Sequence, residues 1–341
     1  MSDGSEAAKP ERPWIAAQRQ SLLQQRGHAW LLQGPSGLGQ YSLALSLVRA
    51  WLCERPHAEG ACGDCPSCHA VDVRTHADLC VLMPETKMLE LGWPLGEKAQ
   101  SEIDDKKRKA SKEIRVDAMR DAVEFVQRTS SRGQGKAILV FPAEQMNAIT
   151  ANALLKTLEE PPGNVRFVLA TESAHQLLPT IRSRCISHAM RWPTSTESIA
   201  WLQSMGLAPD LAAASLKSAG GRPDDALDFI QSGRDPAVWK HLRVALARGD
   251  VGIFKDWTSA QQLDALQKLC HDLMAQHVHT EPRFIAAEFL GSRVPLRRLC
   301  AWQKDLFTAL KTCEHPFNAG LMTEALVSQA RIALNSKHRE N

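Results

Sequence analysis

Apolar positions along this chain follow two periods, and the switches between them lay out its elements. His28-Ala29-Trp30-Leu31-Leu32-Gln33 is a short apolar run that predicts a strand. It leads directly into Gly34-Pro35-Ser36-Gly37-Leu38-Gly39, and over residues 42–53 Leu43, Leu47, Val48 and Trp51 return at helical spacing. Residues 78–82 read as a second strand. Residues 86–112 show no period and end in Asp104-Asp105-Lys106-Lys107-Arg108-Lys109, which predicts a solvated loop, with contact to an anionic partner as the alternative. A helix over 116–128 should turn Met119, Val123 and Val126 inward. Gly133-Gln134-Gly135 then punctuates before the strand run Lys136-Ala137-Ile138-Leu139-Val140-Phe141. A helix over 148–159 stops at Pro161-Pro162-Gly163, and strands over 165–170 and 185–188 complete the set. Strands alternating with helices in this way predict a mainly parallel α/β sheet.

Beyond Arg191-Trp192-Pro193 the strand period disappears. Residues 194–232 carry Gly220-Gly221 and a short helix over 224–230, and from Asp235 onward the pattern is helical. Leu299, Trp302, Leu306, Leu310 and Cys313 step by three and four as one apolar stripe, and Leu321, Ala325 and Ile332 suggest another. Three pieces follow: an α/β domain over 1–192, a small helical domain over 193–234 and an all-helical domain over 235–341.

Composition narrows the function classes. A length of 341 residues with 44% hydrophobic positions allows two or three domains with real cores. No apolar run approaches the roughly 18 residues of a membrane span, and residues 1–13 lack the apolar segment of a secretory signal, so a cytoplasmic protein with no membrane partner is expected. The net charge of +3 neither demands nor excludes nucleic acid. Nine cysteines in a reducing compartment argue for metal where they cluster. Cys80, Cys185, Cys270, Cys300 and Cys313 stand singly and read as small buried hydrophobes.

Two groups of residues carry the chemistry. The stretch from Gly34 to Tyr41 fits the phosphate-loop pattern G-x-x-x-x-G-K-[ST] at Gly34 and Gly39, with Gly37 between them. Gln40 replaces the lysine that reaches the phosphates, and Tyr41 replaces the hydroxyl that ligates Mg²⁺. The strand at 138–141 runs into Phe141-Pro142-Ala143-Glu144, with a ring and a proline where a hydrolase places its metal-holding acids, and Glu144 two positions beyond. The loop is therefore expected to be vestigial. Cys53, Cys62, Cys65 and Cys68 are spaced to close a tetrahedral zinc site over 53–68. Four protein ligands leave no open position, so the site is structural, and His57 and His69 are not needed.

Asn152-Ala153-Leu154-Leu155-Lys156-Thr157-Leu158-Glu159-Glu160-Pro161-Pro162 resembles the hallmark of clamp-loader ATPases, the AAA+ proteins that load sliding clamps at replication forks. Ser183-Arg184-Cys185 matches their arginine motif, Thr171 their γ-phosphate-sensing position, and Ile114-Arg115-Val116-Asp117 with Arg120 the start of one of their helices. Arg222 lies near a second nucleotide-sensing arginine of active members, though a structural role suits it better here. The four cysteines fit the bacterial loader's zinc module. The resemblance is specific over about 14–230 and architectural beyond that.

It implies a RecA-like AAA+ domain with a zinc module, a helical lid and an all-α collar. Within the family, the losses are similar to those of a subunit that lacks a competent ATP site. The gamma and tau motors keep the lysine and the Asp-Glu pair. The implied role is a non-catalytic subunit of the DNA polymerase holoenzyme, in a five-subunit ring with delta and three gamma or tau copies. Arg184 would complete a neighbour's ATP site in trans, while the ring opens the sliding clamp and grips primer–template DNA. An active AAA+ ATPase with a degenerate loop, or a zinc-dependent DNA-binding module acting alone, are the alternatives.

Overall fold

The apolar runs become five strands of one parallel sheet in the computed structural model, which describes residues 10–313 and 318–335. Most of the polar N-terminal segment 1–13 thus lies outside the described residues. The chain divides into two compact units, Met1–Glu197 and Ser198–Asn341.

In chain order the first unit contains α1 (Pro13–Leu23), β1 (Ala29–Gln33), α2 (Gln40–Leu52), α3 (Pro66–Asp72), β2 (Leu79–Leu82), α4 (Glu85–Glu90) and α5 (Glu97–Asp104). It continues with α6 (Val116–Gln127), β3 (Lys136–Val140), α7 (Ala148–Glu159), β4 (Val165–Thr171), α8 (Pro179–Arg182) and β5 (Ile186–Ala189). The strand order is β2-β3-β4-β1-β5, and every pairing is parallel. Parallel strands covered on both faces read as continuous apolar runs. That is why β3 is buried at every position and β1 at all but Gln33, while the edge strand β5 tolerates Ser187 and His188. Each fully buried Leu, Val or Phe side chain contributes about 1.5–3 kcal/mol. Phe167, Leu31 and Leu169 at the sheet centre are all 0% exposed.

Residues 86–112 differ from the expected loop. They form α4 and α5, separated by Gly92-Trp93-Pro94, and the turn after them is tied down by Glu85. The Glu85 carboxylate is 8% exposed and accepts from Arg108 Nη2 at 2.8 Å, from Arg108 Nη1, and from the Ser111 backbone N–H at 2.8 Å. Arg108 also reaches Glu102 at 2.7 Å. The charged run therefore contains a structural clamp, which spacing cannot reveal because its acid partners lie 6 and 23 residues away.

α9 (Ser195–Ser204) carries the boundary into the second unit. That unit then contains α10 (Pro209–Ser218), α11 (Pro223–Gln231), α12 (Trp239–Arg248), α13 (Ser259–Ala275), α14 (Ala287–Leu290), α15 (Leu296–Thr312) and α16 (Ala319–Asn335). Its core joins Trp239, Leu242 and Leu246 of α12 to Leu263, Leu266 and Leu273 of α13 and to Leu299, Trp302 and Leu306 of α15. Phe229 of α11 stacks on Trp239 with centroids 6.4 Å apart. Thr258 and Gln261 form a reciprocal capping box at the start of α13. Asp272, fully buried, accepts the backbone N–H groups of Arg283, Phe284 and Ile285 and so fixes the irregular segment before α14.

Several side-chain expectations need correction. On α6 the buried residues are Met119, Ala122 and Val126, with Val123 at the margin of the buried face. On α15 the stripe is buried through Leu306, but Leu310 is exposed. On α16 Leu321 and Ile332 face outward, and Leu326, Val327, Ala330 and Ala333 pack inward. A helix in this unit meets neighbours over part of its length, so an apolar period can run past the contact. Of the five single cysteines only Cys270 is fully buried, and Cys300 is exposed.

Replacing Glu85 with Gln should lower stability by about 1–3 kcal/mol, since it weakens a charge-assisted clamp and leaves Arg108 without its best acceptor. Hydrogen bonds from Arg108 hold the Glu85 carboxyl below its usual range, against the opposing effect of burial. Its contribution is therefore complete above the unfolded pKa of about 4.3 and is lost as pH falls through the lower folded value. The stability gap between wild type and Glu85→Gln, followed by thermal melts, should narrow below about pH 4. A gap independent of pH would contradict this account.

Candidate functional site

In α/β sheets ligands sit at the carboxyl ends of the strands, and residues 34–39 occupy that position after β1. Gly37 and Gly39 have φ of +78° and +88°, a left-handed conformation that favours glycine. A Cβ on Gly34 would come within 2.8 Å of Met190 Cβ, so that position admits no side chain. Gly39 caps α2, and Gln40 opens it. The backbone thus has the geometry that the glycine spacing predicts.

The side chains do something else with it. Gln40 is 2% exposed, and its Nε2 donates to the carbonyls of Gly34 at 2.8 Å and Pro35 at 2.6 Å. Trp14 of α1, 0% exposed, donates from its indole Nε1 to the Leu38 carbonyl at 2.9 Å. The residue at the lysine position is therefore a strut inside the loop. Gly34 also donates its backbone N–H to the Thr171 carbonyl at 3.3 Å, which ties the loop to the end of β4.

Aromatic residues fill the place of the hydroxyl and the acids. The Tyr41 hydroxyl accepts from Trp93 Nε1 at 2.7 Å, and the Tyr41 and Phe141 rings lie 5.4 Å apart. Burial raises the Tyr41 pKa, opposed by the Trp93 hydrogen bond and by Arg74. Arg74 in turn lies 5.7 Å over the Trp93 ring. Glu144 accepts from the Thr171 hydroxyl at 2.7 Å and from the Glu172 N–H at 3.0 Å, so the carboxylate and the sensing-position hydroxyl are committed to each other. Trp93 was missed by the sequence reading, because only folding carries the 86–112 segment to Tyr41.

The four clustered cysteines converge. Cys53, Cys62, Cys65 and Cys68 place their sulfurs within 4.8 Å of one another. Individual separations are 3.5 Å for Cys53–Cys62, 3.8 Å for Cys53–Cys65 and 3.9 Å for Cys62–Cys68. A tetrahedron with Zn–S bonds of 2.3 Å has edges of about 3.8 Å, so the donor set fits a metal such as zinc. Backbone N–H groups of Arg55 and Cys62 point at the Cys53 sulfur, at 3.4 and 3.3 Å, and that of Cys68 at the Cys65 sulfur at 3.3 Å. Such donors offset the charge of bound thiolates. Outside them, Ser67 and Arg132 both reach Glu54, at 2.8 and 2.9 Å, joining the module to the turn before β3. His57 and His69 are exposed and stand outside the set.

Arg184 lies at the other end of the sheet. It precedes β5, whose Ile186 pairs in register with Trp30, whereas the glycine loop follows Gln33. The strand length between these levels is about 13 Å. Its guanidinium is 32% exposed and donates to Glu159 at the end of α7 and to the Thr180 carbonyl at 2.8 Å. Ser183 donates to the same carbonyl at 3.1 Å, and burial pushes the half-buried Cys185 thiol up to about 12. Arg222, in the second unit, pairs with Asp225 at 3.0 Å and donates to the Ala219 carbonyl at 3.0 Å. Sequence reasoning found Arg184 but not its Glu159 partner.

Replacing Gln40 with Ala removes two hydrogen bonds to buried carbonyls and should destabilise the first unit by about 1–3 kcal/mol in denaturant unfolding. A neutral result would mean that the loop does not depend on the strut.

The family model described as DNA polymerase III, delta subunit, matches residues 13–193. The DNA polymerase III subunit delta' of Pseudomonas aeruginosa is 40% identical over 203 residues, covering 58% of this chain and 54% of that relative, so the match spans about half of its length. The subunit delta' of Escherichia coli is 29% identical over 306 residues, 84% of each chain. The subunit tau of Escherichia coli is 32% identical over 164 residues, 48% of this chain and 22% of tau. Among the described residues, no helix is long and apolar enough to cross a membrane. The family match covers more than half of the sequence and ends just beyond the last strand of the sheet: the chain belongs to the DNA polymerase III delta-subunit family.

Proposed function

We propose that this chain works as a delta'-type subunit of a bacterial clamp loader, an ATPase-like scaffold without hydrolysis of its own. The observation that carries this is Gln40, whose amide is bonded to the carbonyls of Gly34 and Pro35 where a hydrolase extends a lysine to phosphate. Tyr41, Phe141 and Pro142 remove the Mg²⁺ ligand and the acids that would polarise water. The retained relative of that chemistry is Arg184. A guanidinium is always charged and can bond two phosphate oxygens at once. Placed at the opposite end of the sheet from the chain's own loop, it suits the nucleotide of a neighbouring gamma or tau subunit.

In this reading the chain sits in a hetero-pentamer with delta and three gamma or tau copies, in the bacterial cytoplasm at the replication fork. The sliding clamp and primer–template DNA meet it through the assembled ring. Residues 1–192 form the AAA+ domain, 193–234 the lid and 235–341 the collar. Structural zinc is held by Cys53, Cys62, Cys65 and Cys68, pinning a segment with almost no core of its own.

Arg184→Ala in the reconstituted loader tests the trans role. An arginine finger contributes about 10³–10⁵ in rate at the site it completes. Silencing one of three motor sites should lower clamp- and DNA-stimulated ATPase by at least about a third, and by more if the sites are coupled. Assembly, followed by gel filtration, should survive. Undiminished ATPase would sink the trans-arginine reading. For the metal, Cys65→Ser should reduce zinc below one ion per chain by elemental analysis. A loss of about 3 kcal/mol in a unit of this size lowers Tm by about 6–12 °C. Full zinc content in that variant would contradict the four-cysteine assignment.

A further inference from the structure

A cleft of about 600 Å³ opens at the amino ends of the strands, away from the glycine loop, and no role described above uses it. Its walls come from the end of α1 and the residues after it, from α2, from the turns before β3 and β4, and from Pro56, His57 and Ala58 of the cysteine module. Three features of this cleft point to one ligand chemistry. First, Arg166 of β4 is half-buried beside it, with its guanidinium 5.8 Å over the Trp51 ring, and has neither a hydrogen bond nor an ion pair from its side chain among the described residues. Burial is the sole influence on its pKa, which is lowered, with no carboxylate opposing it. Second, the lining holds Arg26 and His57 besides Arg166, and not one Asp or Glu. Third, Trp30, 3% exposed, lines the cleft and packs on Trp51 with ring centroids 5.0 Å apart, so the ring beneath Arg166 is backed by a second indole.

With no acceptor among the described residues, the half-buried Arg166 guanidinium is left to water in the cleft, and an anionic ligand would give it a charge-assisted partner. We propose that this cleft binds an acidic peptide segment of a partner protein, a carboxylate beside an apolar side chain, with Arg166 as the charge partner. A nucleic acid is disfavoured because base stacking needs an open aromatic face, whereas Trp30 and Trp51 are 3% and 8% exposed. The cysteine module gains a purpose in this arrangement, since its 56–58 turn forms one wall.

The test uses the full chain, isotopically labelled at indole nitrogen, with the Trp30 resonance assigned through Trp30→Phe. The probe is the capped peptide Leu-Asp-Glu-Leu, titrated to millimolar concentration against Leu-Asn-Gln-Leu and inorganic phosphate. The acidic peptide should move the Trp30 indole resonance saturably, and the amide peptide should not. Arg166→Met should weaken the acidic peptide at least about tenfold while leaving Tm unchanged or raised, since an unpaired charge has been removed. Equal shifts with both peptides, a response to phosphate alone, or full affinity in Arg166→Met would each overturn the proposal. If Arg166→Met fails to fold, Arg26→Gln at the exposed rim must weaken the peptide by itself. Undiminished binding there overturns it equally.

Discussion

At the carboxyl end of a buried parallel sheet, backbone groups leave the strand ladder and must find other partners. In this chain they find them internally. Gln40 and Trp14 donate to three carbonyls of the 34–39 loop, and Thr171 ties that loop to β4 through its own carbonyl. A hydrolase aims the N–H groups of this loop and a lysine ammonium at a phosphate. Here the side chain at the lysine position turns back onto the loop's own carbonyls, which it cannot leave without cost. Much of the functional logic follows from that one redirected side chain.

The loop's surroundings agree with it. Tyr41, Phe141 and Trp93 build an aromatic cluster where a metal and its acids would otherwise need polar space. Glu144, the nearest carboxylate in sequence, is held by Thr171 and Glu172. A single altered residue could be drift, but these changes share one consequence: the side chains around the loop bond to one another and to the loop. Arg184 survives outside this cluster, and it stands a strand's length away from the loop. That placement carries the proposal that it acts on a neighbouring chain.

The 86–112 segment shows how a polar, aperiodic stretch can be structural. Its sequence offers no apolar face, so it looks like solvated loop. In the fold it delivers Trp93 to Tyr41 and brings Arg108 to the buried Glu85. These are single long-range contacts, and a period-based reading is blind to them. The same blindness hid Glu159 beside Arg184 and Arg166 on Trp51.

The sequence alone determined the elements that repeat a period and the motifs fixed by spacing. Apolar runs marked the strands within a residue or two, because a sheet buried on both faces leaves few polar positions in its central strands. The spacing of Cys53, Cys62, Cys65 and Cys68 announced a metal-type cluster, since short turns leave their sulfurs few other places to go. Gly37 and Gly39 announced the loop because its left-handed turns favour glycine, and Gly34 because Met190 leaves no room for a Cβ. Only the tertiary structure decided where each polar side chain spends its hydrogen bonds. Gln40 could have faced solvent, and Leu321 and Ile332 could have faced the core. The difference lies in neighbours brought from distant parts of the chain, which local spacing does not encode.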